Sequence, residues 1–214
     1  MNDKANTGKS SATSDDPRFD VRRIDAIAMA NQRGHAHGEV PIVRLDRFVE
    51  GLPEQARPDE SGAGMVRWSV QGEQGKGTSR SGAVIGGQPL LQLHVQAAPI
   101  LVCQRCNAPF VYSVDSTVVL QLVASEDDLE DDLGDLDEQD EDFEAAARLP
   151  EKVVGSHRFD LLAQIEDELI LSIPYVPRHE VCPGQEAVSD EEVESPEVKR
   201  PSPFAVLEQL KRKN

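Results

Sequence analysis

Ile100-Leu101-Val102-Cys103-Gln104-Arg105-Cys106-Asn107-Ala108-Pro109-Phe110-Val111-Tyr112 is the stretch around which the chain is organised. An apolar run leads into two thiols three positions apart, and a second strand-like run leaves them. Thiols so spaced at a turn can both face one point. Downstream, Phe110, Tyr112, Val114, Val118, Leu120 and Leu122 all fall on even positions, the period of a half-buried strand. Upstream, Val66, Trp68 and Val70 alternate with polar residues. Gly72 to Gly77 then reads as a Gly-rich turn. It lacks the GxxxxGK[ST] spacing that cradles phosphate, so its glycines signify turn chemistry. Val84-Ile85, Gly86-Gly87 and then Leu91, Leu93 and Val95 read as a hairpin-like pair. Antiparallel strands are therefore expected from Met65 to Val123.

Helical spacing brackets these strands. Leu161, Leu162, Ile165, Leu169 and Ile173 form one stripe. Asp160 is a good N-cap, and Pro174 ends the helix. Ile170 and Leu171 lie off the stripe, which predicts burial on more than one side. Glu166, Asp167 and Glu168 are adjacent on this helix and point different ways, so they read as a solvated face rather than an acid/base pair. Before the strands, Val21, Ile24, Ile27 and Ala28 predict a helix from Phe19 to Arg33 that Gly34 ends. Val40 to Leu52 favours helix over strand. His35 and His37 stand in a Gly-flanked loop with no third ligand nearby, and read as a surface turn. The fold class this implies is α+β: an antiparallel β-sheet or partial barrel packed by a few helices. Residues 1–17 are polar and predict a disordered N-terminus. Residues 18–124 hold the first helices and the strands with the CxxC turn. Residues 125–150 are an acidic loop. Residues 151–182 add a helix and a His/Cys loop to the same domain, and residues 183–214 are a linker and basic tail.

Charge narrows the function classes. The chain has 214 residues and a net charge of −17, and aromatics make up only 4%. Glu126 to Glu144 holds thirteen of the 39 acidic residues and no base, so the rest carries only −4. Such a chain does not bind nucleic acid by bulk charge. The run reads either as a solvated mobile loop or as a nucleic-acid mimic or clamp for a basic partner. At the other end, Ser202 can cap a short helix and Pro203 fits its first position. Phe204, Leu207 and Leu210 make a stripe, and Lys211, Arg212 and Lys213 follow it. That tail is a candidate for RNA phosphate or partner binding, or a docked helix with a solvated end. No GxSxG motif or catalytic carboxylate pair is recognisable, which points away from an enzyme. No run approaches the ~18 apolar residues of a membrane span, and Met1 to Asp16 has no apolar signal region. Three cysteines, an odd count that includes a CxxC, argue against a secreted disulfide scaffold. A cytoplasmic protein with no membrane contact is expected.

The metal-like constellation joins the two halves. Cys103-x2-Cys106 has a counterpart in His179-x2-Cys182. Zinc takes four thiolate or imidazole ligands in a tetrahedron, and two such knuckles supply them. The 72 intervening residues exclude a compact finger, so the knuckles have to meet through the tertiary fold. Two other readings stand beside zinc: packed thiols with an unrelated histidine, and a redox pair. The redox reading wants a helix N-terminus to lower the thiol pKa, whereas strand signals flank this motif.

Taken together, several motifs resemble a known family. They are Leu101-Val102-Cys103-Gln104-Arg105-Cys106-x-x-Pro109-Phe110, Phe159-Asp160-Leu161-Leu162 through Glu166 to Leu171, Pro174-x-x-Pro177-x-His179, and Pro201-x-Pro203-Phe204-Ala205-Val206-Leu207-x-x-Leu210-Lys211. Their order and spacing resemble the bacterial large ribosomal RNA subunit accumulation protein family, formerly a domain of unknown function. The likeness covers roughly residues 19–122 and 157–213. It implies a non-enzymatic role in synthesis, processing or stability of 23S rRNA, hence in large-subunit biogenesis. Implied partners are the large-subunit rRNA or its precursor, a ribosomal protein, or assembly and processing factors. The rivals are a nuclease or processing cofactor acting on RNA directly, and an acidic chaperone or adaptor for a basic ribosomal protein. Some members carry two cysteines where this chain has His179 and Cys182, which supports the zinc reading.

Overall fold

The computed structural model describes residues 20–59, 61–129 and 149–183, together with the backbone of residues 11–13. Met1–His179 is one compact unit. Of the second unit, Glu180–Asn214, residues 180–183 are described. The predicted acidic loop lies mostly outside the described residues, and the basic tail lies wholly outside them.

Eight strands and three α-helices make up the described chain. In order they are β1 (Ser11–Thr13), α1 (Ala26–Gln32), β2 (His35–Pro41), α2 (Asp46–Val49), β3 (Met65–Thr78), β4 (Val84–Ala97), β5 (Ile100–Val102), β6 (Pro109–Val111), β7 (Val114–Val123), β8 (Glu151–Val154) and α3 (Leu161–Ser172). One sheet has the order β1-β2-β3-β4-β7-β8, and β5 pairs with β6 in a separate two-stranded sheet. The middle pairs are antiparallel, and the outer strands β1 and β8 add parallel edges. The fold is α+β, and the large sheet is open.

Register sorts the sheet into two faces. Ala36, Val70, Leu93 and Val118 stand opposite one another across β2, β3, β4 and β7. With Val66, Trp68, Leu91, Val95 and Leu120 they meet Leu161, Leu162, Ile165 and Leu169 of α3 in a single core. The other face is polar. His37, Ser69, His94 and Thr117 form one cross-strand row, and His35, Gln71, Gln92 and Val119 form the next.

Five local expectations change. Val84 to Val95 is no hairpin-like pair in itself: β4 runs from Val84 through Gly86 and Gly87 to Ala97 and pairs with β3. Gly72 to Gly77 is no turn: β3 runs through to Thr78, with an irregularity between Gly75 and Gly77. The chain reverses at Ser79, whose N–H donates to the Ala83 carbonyl at 2.8 Å. Gly72 is required for another reason, since a Cβ there would stand 2.1 Å from the Met29 carbonyl oxygen of α1. The first helix begins at Ala26 rather than Phe19. Asp25 caps it by accepting from the Ala28 N–H at 2.8 Å, and Ile24 instead bridges to Phe159. His35 and His37 lie in β2, not in a turn, and Val40 belongs to that strand, which Pro41 ends before a 3-10 turn and α2.

On α3 the stripe and the Asp160 cap are as expected, with Asp160 accepting from the Ala163 N–H. Three residues differ from expectation. Ile170 and Leu171 are exposed, and Glu166 is buried. The Glu166 carboxylate accepts from the Phe48 N–H at 3.0 Å and from Arg47 Nε at 3.0 Å. Arg47 also donates to Asp167 at 2.8 Å. This carboxylate satisfies backbone at the start of α2 and ties it to α3. A buried charge is tolerated when it is bonded in this way.

Candidate metal centre

The short β5–β6 hairpin presents Cys103 to Cys106 at its tip. Two backbone bonds shape that tip. Cys103 N–H donates to the Ala108 carbonyl at 3.0 Å, and Asn107 N–H donates to the Cys103 carbonyl at 2.8 Å. Asn107 occupies the left-handed region at φ 59°, which asparagine tolerates better than most residues. This conformation turns both thiols to one side.

The loop after α3 is held against the hairpin by backbone. Gln104 N–H donates to the Pro177 carbonyl at 2.9 Å, and Gln104 Nε2 donates to the Tyr175 carbonyl at 3.3 Å. Proline leaves those carbonyls uncommitted to a helix. His179 is thereby carried to the thiols. Its Nδ1 lies 3.4 Å from Cys106 Sγ, and its backbone N–H donates to Cys103 Sγ at 3.5 Å. The Phe110 ring seats the imidazole, with centroids 4.7 Å apart and planes at 41°.

Cys182 follows His179 by three residues in the same loop and is buried, as Cys103 is. One ligand atom from each of Cys103, Cys106, His179 and Cys182 lies within 4.8 Å of the other three. A zinc tetrahedron with bonds of ~2.3 Å to sulfur and ~2.0 Å to nitrogen has edges of about 3.5–3.8 Å. The Cys106–His179 separation matches such an edge. Three soft donors and one imidazole are a donor set that zinc accepts without strain in coordination number.

Electrostatics prepare the site for a cation. Burial alone would push the Cys103 thiol up. Backbone N–H groups of His179, Cys106 and Arg105, together with the His179 side chain, outweigh it and bring the thiol down to about 5. Donors aimed at sulfur favour thiolate, the form that binds metal. A lowered thiol pKa also suits a redox thiol; what favours metal is that further thiol and imidazole donors stand within ligand spacing of Cys103.

The structure thus brings all four sequence-predicted metal ligands together. Phe204, Leu207, Leu210, Lys211, Arg212 and Lys213 lie outside the described residues. Sequence reasoning did not single out Gln104 or Phe110 as the residues that seat the loop and the imidazole. The one signal for them is their position beside the CxxC.

Residues 91–211 match the family described as Large ribosomal RNA subunit accumulation protein YceD, more than half of the chain. The chain belongs to this family. A curated relative of the same name, from Haemophilus influenzae, is 38% identical over 125 residues. That alignment covers 56% of this chain and 63% of the relative, so the chain spans less than two thirds of the relative's length. No solved structure matches. The span matched to the family takes in the CxxC hairpin, α3, the His179–Cys182 loop and the tail as far as Lys211. Among the described residues no helix is long and apolar enough to cross a membrane.

Proposed function

We propose that this protein supports accumulation of 23S rRNA as a non-enzymatic binding module in large-subunit biogenesis, in the cytoplasm. The observation that carries the reading is the family match over residues 91–211. Structural zinc, held by Cys103, Cys106, His179 and Cys182, fastens the β5–β6 hairpin to the loop after α3. The donor set and its spacing support this assignment. The apolar stripe Phe204, Leu207 and Leu210 docks a short helix on a partner, while Lys211, Arg212 and Lys213 meet phosphate.

The acidic run supports a second reading, an acidic chaperone or adaptor for a basic ribosomal protein, because thirteen acids without a base suit a basic surface. One experiment separates the two. In a strain lacking the gene, the intact chain should restore the ratio of 23S to 16S rRNA, and affinity-purified protein should carry 23S precursor. Recovery of a stoichiometric ribosomal protein without RNA would replace the first reading with the second. Failure to restore 23S would remove both.

A further inference from the structure

We infer that the face of the large sheet that no described helix covers is a single-stranded RNA platform centred on His35, His37 and His94; this deepens the proposed role in 23S rRNA accumulation and rests on it. The core and α3 occupy one side of β2, β3, β4 and β7, which leaves the two polar cross-strand rows facing outward. Between them lies a concavity of about 530 Å³. Its side chains are three imidazoles, two amides, two hydroxyls, the Arg33 guanidinium and two small apolar groups, with no carboxylate among them. In a chain of net charge −17, a lining without acids stands apart, and carboxylates on this face, Glu39 and Asp115, border it in the next row, where Glu39 pairs with Arg67 and Asp115 with His94.

These groups select a ligand class. Sequence-reading of RNA targets unstacked bases, which stack on aromatic or imidazole rings and bond through their edges. Gln71 and Gln92 are opposite one another in register and offer amide donors and acceptors to base edges. His94 is fixed from the next row: its Nε2 lies 2.7 Å from Asp115 Oδ1, whose other oxygen accepts from Gln96. A protein partner would instead want a large apolar or aromatic anchor at the centre of the patch. The large exposed apolar side chains, such as Val111, Leu171 and Tyr175, stand outside these rows. Nor do the three imidazoles gather on one ion. Among the described residues, the Cys/His cluster is the group with ligand spacing.

With Arg33 the single permanent cation in the concavity, stacking and edge contacts carry the binding. The affinity lost on changing the face should therefore leave the salt slope nearly unchanged. Fluorescence anisotropy with a mixed-sequence 12-nucleotide single strand and the full metal-loaded chain tests this. His35→Ala/His37→Ala should raise Kd about ten-fold or more, as expected for removing base-stacking side chains, at a constant salt slope. Should the double variant melt early, Gln71→Glu serves instead, since it sets a carboxylate on the face beside the incoming phosphates. Parent-like binding by a folded double variant, or by Gln71→Glu where the double variant melts early, overturns the inference. So does a parent that fails to bind the single strand or prefers a duplex of equal length. Loss of a co-purifying ribosomal protein with RNA binding intact would assign the face to protein and overturn it equally. The 23S complementation assay answers the other question. A parent that does not restore 23S removes the functional role, while the anisotropy result still decides the face.

Discussion

Cys103 concentrates the chemistry of this chain in one atom. Its sulfur is buried, receives the His179 N–H, and is held near pKa 5 by backbone donors. A thiolate in such surroundings calls for a cation. Protein purified without chelator should contain about one zinc per chain by elemental analysis, and Cys103→Ser should lose most of it. A chelator should lower the melting temperature of the parent and leave the variant unchanged, because metal that binds only the folded state adds to stability. Less than a tenth of an equivalent in the parent, with all three thiols reactive, would leave the cluster as packed cysteines. The residue types here were legible in the sequence, since CxxC and HxxC spacing is chemical. How they meet was not, because a 72-residue gap is closed by the main-chain carbonyls of Tyr175 and Pro177, and a carbonyl carries no side-chain signature. A second single-residue case is Asp25. The Ala28 N–H and then the His157 side chain hold its carboxyl below the ordinary 3.8. A folded-state value below the unfolded one contributes stability above the ordinary value and loses it as pH falls through the folded one. Asp25→Asn keeps the cap but removes the titration. Melting curves of parent and variant should therefore differ most near neutrality and converge between about pH 5 and 3. A difference that is flat across that range would deny the shift.

Among the elements, α1 and β3 show what local pattern can and cannot specify. The alternation of Val66, Trp68 and Val70 did mark β3, and Asp160 with its stripe did mark α3. Both signals arise from one face meeting one core. The glycines of β3 carried the opposite message to the one read, because a Gly serves equally for a turn and for a close crossing. Only the Met29 carbonyl of α1, above Gly72, decides between them. Likewise Glu166 looked solvated because the donors that bury it, the Phe48 N–H and Arg47, lie far back in the chain. Its neighbours Ile170 and Leu171 were misplaced for the matching reason, since nothing in the described chain covers that side of α3. The crossing makes a sharp prediction. Gly72→Ala puts a Cβ into backbone, which cannot swing aside as a flexible side chain can. It should cost about 1–3 kcal/mol, the usual range for overpacking, read as a lower denaturation midpoint with an unchanged m-value. Gly86→Ala is the control, because a Cβ there meets nothing within 4 Å. Equal stability of the two variants would mean that α1 does not press on β3.

At the scale of the whole molecule, charge is the organising quantity, and it is unevenly placed. Thirteen acids sit in residues 126–144, and basic residues crowd the C-terminus. Deleting Glu126 to Glu144 takes the net charge from −17 to −4. It should move the melting temperature by less than about 2 °C, since a change confined to surface is worth within about 0.5 kcal/mol. A large drop would show that the run packs on the core. A polyanion approaching the parent meets repulsion that salt screens over about 10 Å at 0.1 M. The deletion should therefore speed RNA association most at low salt. On the proposed reading the cations of the tail make the opposite contribution, with a separate signature. Each phosphate neutralised on a single strand adds about −0.7 to the slope of log affinity against log salt. Changing Lys211, Arg212 and Lys213 together to Ala should reduce that slope by about 2 in magnitude without altering the melting temperature. The sheet-face variants should weaken binding with the slope intact, so the two sets of contacts are separable in one titration series. An unchanged slope in the tail variant, with 23S rRNA restored as well as by the parent, would make those cations a solvated end. Phe204→Ala completes the test: loss of 23S accumulation with the melting temperature held places a partner on the apolar stripe, and a fall in melting temperature makes Phe204 part of the core.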